Sequence, residues 1–127
     1  MKKTLLILSI LLFVVGCSNK IDGEAIYKTI DLELAKEFVA NEKAILIDTR
    51  SFEEYSKEHI EGAINMPSDE INKKAIEGVT NSKIDNIIIY CGGTTDCKSL
   101  AIKIIEFGYT NVYDLGNTIS IGNNNAQ

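Results

Sequence analysis

Two kinds of apolar pattern alternate along the chain. Ala44-Ile45-Leu46-Ile47 and Ile87-Ile88-Ile89 are continuous apolar runs, the pattern of parallel strands covered on both faces. Between and around them run helical patterns. Asp31 is a good N-cap for a helix over residues 31–40, with Leu34, Phe38 and Val39 on one face. Ser51-Phe52-Glu53-Glu54 is a capping box opening a helix that ends near Lys57. Ser68 or Asp69 could cap a helix reaching about Glu77, and residues 98–107 form a further amphipathic stretch. Residues 26–30 fit a short edge strand, Ile64 a short strand before Pro67, and residues 111–114 a last strand before Leu115-Gly116. Strands alternating with helices predict an α/β fold with a central parallel sheet and helices on both faces. Ligands in such sheets bind beyond the carboxyl ends of strands. Asp48-Thr49-Arg50 and Cys91-Gly92-Gly93 both fall there, so one site can hold them.

Composition adds bounds. The chain has 127 residues, 45% of them hydrophobic and 24% charged, enough for one domain with a core. A net charge of −5 gives no electrostatic footprint for nucleic acid. Arg50 is the lone arginine in a lysine-rich chain. Its planar fork suits a site-specific role, and a surface ion pair is the plainer alternative.

The candidate chemistry lies in Tyr90-Cys91-Gly92-Gly93-Thr94-Thr95-Asp96-Cys97-Lys98-Ser99. Here a cysteine ends a buried strand, a small polar loop follows, and a helix begins. Backbone N–H groups and a helix N-terminus near Cys91 would favour its thiolate, the nucleophilic form. Gly92 and Gly93 would allow left-handed turns in that loop. A buried structural cysteine before an ordinary turn is the alternative.

The N-terminus reads differently from the rest. Lys2 and Lys3 precede an apolar run over residues 5–15, too short to favour a spanning helix. The run ends in Val14-Val15-Gly16-Cys17, which resembles the lipobox of bacterial lipoproteins. That resemblance implies a signal peptide over 1–16, a lipidated Cys17, a polar tether over 17–24, and a position on the extracytoplasmic face of the cell membrane. The domain would then cover 25–121, with a frayed tail over 122–127. Cys91 and Cys97 remain for chemistry, and outside the cytoplasm a disulfide between them is open.

Four segments together resemble a rhodanese-like domain: Leu46-Ile47-Asp48-Thr49-Arg50; Glu54-Tyr55 with Glu58-His59-Ile60-Glu61-Gly62-Ala63-Ile64-Asn65-Met66-Pro67; Ile88-Ile89-Tyr90-Cys91; and Phe107-Gly108-Tyr109-Thr110-Asn111-Val112-Tyr113. The likeness covers residues 25–119, and its second segment is the most specific. It implies a sulfurtransferase in which Cys91 attacks a sulfane sulfur donor and holds the sulfur as a persulfide. The outer sulfur then passes to a thiophilic acceptor. It implies a substrate loop of Gly92, Gly93, Thr94, Thr95, Asp96, Cys97 and Lys98, with Asp48 and Arg50 supporting it. His59, Asn65 and Tyr90 read as structural. Neither cofactor nor metal is expected: two cysteines and one histidine fall short of a zinc site. The expected partners are a small sulfur donor, a thiol acceptor and the membrane that holds the anchor, with the protein itself a monomer.

The loop departs from the family pattern. Its fifth position after Cys91 is Asp96, where the family usually has a cation, and Lys98 comes later. That lowers the expectation for thiosulfate, an anionic donor. Cys97 matches the second cysteine seen in a subset of the family. Three roles are open to it: resolving a persulfide or sulfenate on Cys91, locking the loop as a structural disulfide, or sitting buried in the first helical turn. The closing segment also differs, with Leu115-Gly116-Asn117 and no Trp in the chain. A thiol–disulfide redox pair and a non-catalytic binding module are the alternative functions. A phosphatase of related fold would need a Cys-x5-Arg cradle, which this loop lacks.

Overall fold

The computed structural model describes residues 27–117. Cys17, the segments 1–16, 17–24 and 122–127, and the outermost residues expected of the domain lie outside them. The described elements run β1 (Lys28–Thr29), α1 (Leu32–Ala40), β2 (Ile45–Asp48), α2 (Phe52–Lys57), β3 (Ile64–Asn65), α3 (Lys73–Glu77), β4 (Asn86–Cys91), α4 (Cys97–Glu106) and β5 (Asn111–Asn117). The five strands form one sheet in the order β1-β5-β4-β2-β3. Every pairing is parallel, as the strand–helix alternation predicts.

Side-chain alternation along the central strands sorts the core into two layers. Ile87, Ile89 and Cys91 of β4 point to one face, with Ile47 of β2, and pack on Ile76 of α3 and Ala101 and Ile104 of α4. Ile88 and Tyr90 point to the other, with Leu46 of β2, and pack on Ala35 and Phe38 of α1 and Tyr55 of α2. Strands buried on both faces need no polar alternation, which is why these runs are continuously apolar.

Several local expectations change. In α1 the inward stripe is Leu32, Ala35, Phe38 and Val39, whereas Leu34 is 41% exposed. The small Ala35 sets the stripe because it lets the helix approach the sheet closely. Neither Ser68 nor Asp69 caps a helix. Ser68 N–H is tied to the Thr49 carbonyl and Glu70 N–H to that of Pro67, so this stretch is a turn. Asn72 caps α3 instead, its side chain accepting from Ala75 N–H at 3.0 Å. The last helix begins at Cys97 because Asp96 is its N-cap. The capping box at Ser51 and Glu54 forms in full.

Candidate active site

The chain leaves β2 toward β3 at one side of the sheet and leaves β4 toward β5 at the other. The carboxyl ends of β2 and β4 therefore flank a topological switch point, where parallel sheets open a crevice. A cleft of about 340 Å³ opens there, lined by Thr49, Arg50, Glu54, Ser68, Gly92 and Thr95 among others. Larger hollows of 510 and 670 Å³ lie beside α1, the first of them also against Ile60 and Gly62, and share no residue with the Cys91 loop.

The strand alternation sends two polar assemblies to opposite faces. On the α1/α2 face is Asp48, wholly buried at 0% exposure. It accepts from Arg50 Nε at 3.0 Å and Nη2 at 2.8 Å, from Arg50 N–H at 2.9 Å and from the Tyr90 hydroxyl at 2.7 Å. The Tyr90 oxygen in turn accepts from Ile60 N–H at 3.2 Å. Arg50 also donates to the Glu58 carbonyl. The Asp48 bond holds the Arg50 guanidinium above its usual range, fixing it as a cation. Burial, then the bond to Asp48, pushes the Tyr90 phenol well above its usual value. Asn65 donates to the carbonyls of Asp48 and Arg50 at 3.1 and 2.9 Å. His59 stacks on Tyr55, ring centroids 3.8 Å apart, with Nδ1 2.7 Å from the Tyr55 carbonyl oxygen.

Arg50 is therefore a strut. Its charge is matched by Asp48, while its methylenes support the loop. A Cβ on Gly92 would stand 2.9 Å from both Arg50 Cγ and Cδ. Gly92 is needed for this close approach, not for the left-handed turn expected of it. Of the two loop glycines only Gly93 has a positive φ, at +59°. Thr95 N–H closes the turn on the Gly92 carbonyl at 3.3 Å.

On the α3/α4 face, Cys91 and Cys97 are joined as a disulfide, their Cα atoms 5.7 Å apart, within the usual span. Cys91 is 0% and Cys97 4% exposed. The bond sets the Cys91 sulfur at the N-terminal end of α4. Asp96, placed by sequence in the substrate loop, faces the helix: its carboxylate accepts from the Ser99 N–H at 3.3 Å and hydroxyl at 2.6 Å. Those bonds favour the carboxylate and hold its pKa below the usual carboxylate range. Lys98 Nζ lies 5.7 Å from the Tyr27 ring centroid, outside the cleft lining. Thr94 and Thr95 complete the loop beside Gly93.

Two participants were not singled out by sequence reasoning. Asn117 Nδ2 reaches the carbonyls of Gly93 and Thr95, at 3.2 and 3.4 Å, from the end of β5. Its cue was an amide closing a strand adjacent to the cysteine strand. Tyr27 donates to the Asp114 carboxylate, and burial together with that bond pushes its phenol up to about 12. Among the described residues no group of three or more His, Cys, Asp or Glu side chains is placed to hold a metal ion.

The model of the rhodanese-like domain family matches residues 31–119. The chain belongs to that family. It is 30% identical over 84 residues to the tRNA uridine(34) hydroxylase of Photorhabdus laumondii, a match covering 64% of this chain and 24% of that protein. The chain thus spans about a quarter of that relative's length. Among solved structures, a rhodanese with anions from E. coli is 34% identical with a TM-score of 0.53, over 58% of this chain and 86% of that one. The human single-domain sulfurtransferase TSTD1 shares the fold at 23% identity and a TM-score of 0.55, over 68% of this chain and 86% of its own.

Proposed function

We propose that this rhodanese-like chain is a sulfurtransferase that carries sulfane sulfur on Cys91. The observation behind the reading is the position of that cysteine, at the end of β4 beside the switch-point cleft and at the N-terminus of α4. With the disulfide reduced, the Cys91 thiolate attacks the outer sulfur of a donor. The donor's S–S bond breaks and its remainder leaves with the electron pair. A thiophilic acceptor then takes the outer sulfur, returning Cys91 as thiolate. Both displacements need only side chains and backbone. Polysulfide with cyanide as acceptor tests the reading. Thiocyanate should form with the reduced chain and with Cys97→Ser, and fall to background with Cys91→Ser. Equal rates for Cys91→Ser and the parent would overturn it.

The disulfide supports a second reading, a thiol–disulfide redox protein using the same pair. A stable dithiol that cycles against thiol oxidants but never retains sulfur would favour it. For location, the resemblance around Cys17 supports a lipid anchor on the extracytoplasmic face. Among the described residues no helix is long and apolar enough to cross a membrane. Membrane fractionation lost in Cys17→Ala is the expected result, and a variant still fully membrane-bound would count against the anchor.

A further inference from the structure

We infer that the bonded Cys91–Cys97 pair is itself a loading state, and that hydrosulfide is the sulfur source that loads it. The inference rests on Cys91 being the sulfur carrier. Three observations lead to it.

The first is access. The bond joins sulfurs of residues 0% and 4% exposed, so only a very small nucleophile reaches it without displacing the loop. The second is charge. The cleft carries Glu54, Asp69 and Glu70, and the charge of Arg50, the one cation among its described lining residues, is already matched by buried Asp48. Thiosulfate, a dianion, is disfavoured there. Sulfide is present near neutral pH as both neutral hydrogen sulfide and the hydrosulfide monoanion, and suffers far less. The third is the leaving group. Cys97 is the first residue of α4, a helix of 10 residues, whose N-terminal N–H groups stabilise a thiolate on that sulfur. Attack on Cys91 therefore expels an anion that the helix end stabilises.

The step balances without any further reagent. Hydrosulfide attacks Cys91 Sγ and a new S–S bond forms there. The Cys91–Cys97 bond breaks and its electron pair leaves on Cys97 Sγ. The sulfide sulfur is oxidised, the disulfide is reduced, and the proton stays with the product, a Cys91 persulfide beside a Cys97 thiolate. Each disulfide supports one loading. In reverse, Cys97 thiolate attacks the inner sulfur on Cys91 and expels hydrosulfide, restoring the disulfide.

The test uses the full chain carrying Cys17→Ala, which leaves two cysteines. The chain is oxidised, treated with one equivalent of sodium sulfide, alkylated and weighed intact. The expected gain before alkylation is one hydrogen sulfide, about 34 Da, with the extra sulfur on the Cys91 peptide. Thiosulfate on the same oxidised chain should add nothing. A gain of only about 2 Da, which is reduction without retained sulfur, would overturn the inference. So would extra sulfur on Cys97, or an unchanged mass. Reduced Cys97→Ser treated with polysulfide separates the two claims. If it loads while the oxidised chain ignores sulfide, the inference falls and the carrier reading stands. If it also fails to load, the carrier reading falls with it.

Discussion

Arg50→Ala should reveal whether the Asp48 assembly is a buried ion pair or an ordinary surface one. Asp48 is 0% exposed and the Arg50 side chain 11%. Removing the guanidinium leaves a buried carboxylate with the Tyr90 hydroxyl and one backbone N–H as its remaining partners. Breaking a buried pair from one side costs about 3–5 kcal/mol. The two surviving hydrogen bonds put this case near the lower end, about 3 kcal/mol. An exposed pair would cost about 0–1 kcal/mol. Asp48→Asn removes the charge but keeps the shape, so about 1–2 kcal/mol is expected. In the double variant no carboxylate is left unpaired, and it should be more stable than the summed losses by about 1.5–2 kcal/mol. Urea unfolding of all four proteins in one redox state measures this, provided the slope with denaturant stays constant. A loss below about 0.5 kcal/mol for Arg50→Ala would refute the buried-pair reasoning. So would strict additivity in the double variant.

Three further outcomes follow from the same geometry. Gly92→Ala should destabilise the domain by about 1–3 kcal/mol through crowding against Arg50, and the loss should shrink in an Arg50→Ala background, as urea unfolding will show. Reducing the disulfide should lower stability by about 2 kcal/mol, the chain-entropy value for a closed loop of sequence separation 6, read from urea curves with and without reductant. The Tyr27 phenol titrates at about 12 when folded, above its ordinary value near 10, so the folded state holds this proton more tightly. Its contribution is therefore complete below pH of about 10 and lost as pH rises toward about 12. Tyr27→Phe should remove one late step from the tyrosinate absorbance titration, and loss of an ordinary step near pH of about 10 instead would contradict the Asp114 pairing.

Much of this arrangement could be read from residue order. Continuous apolar runs marked the buried parallel strands, and caps at Asp31 and Ser51 formed as short-range chemistry requires. The strand-end positions of Asp48 and Cys91 placed both near the crevice. What escaped depended on neighbours distant in sequence. Ser68 and Asp69 have the right chemistry for a cap, but the Ser68 N–H is held by the Thr49 carbonyl just past β2, and both lie in the turn closed by Glu70 N–H on Pro67. Asp96 looked like a substrate-loop acid, but its carboxylate caps α4 through Ser99. The work of Gly92 is visible only once Arg50 lies across it, and that of Asn117 only once β5 lies beside β4. Pairing of Asp48 with Arg50 two residues on was within reach, but the burial that gives it force was not.

The sulfur-carrier claim is met most directly by the intact mass of the reduced chain, with Cys17→Ala, after polysulfide. A gain of about 32 Da per chain is expected, retained in Cys97→Ser and absent in Cys91→Ser. The same gain in Cys91→Ser, or none in Cys97→Ser, would contradict the account.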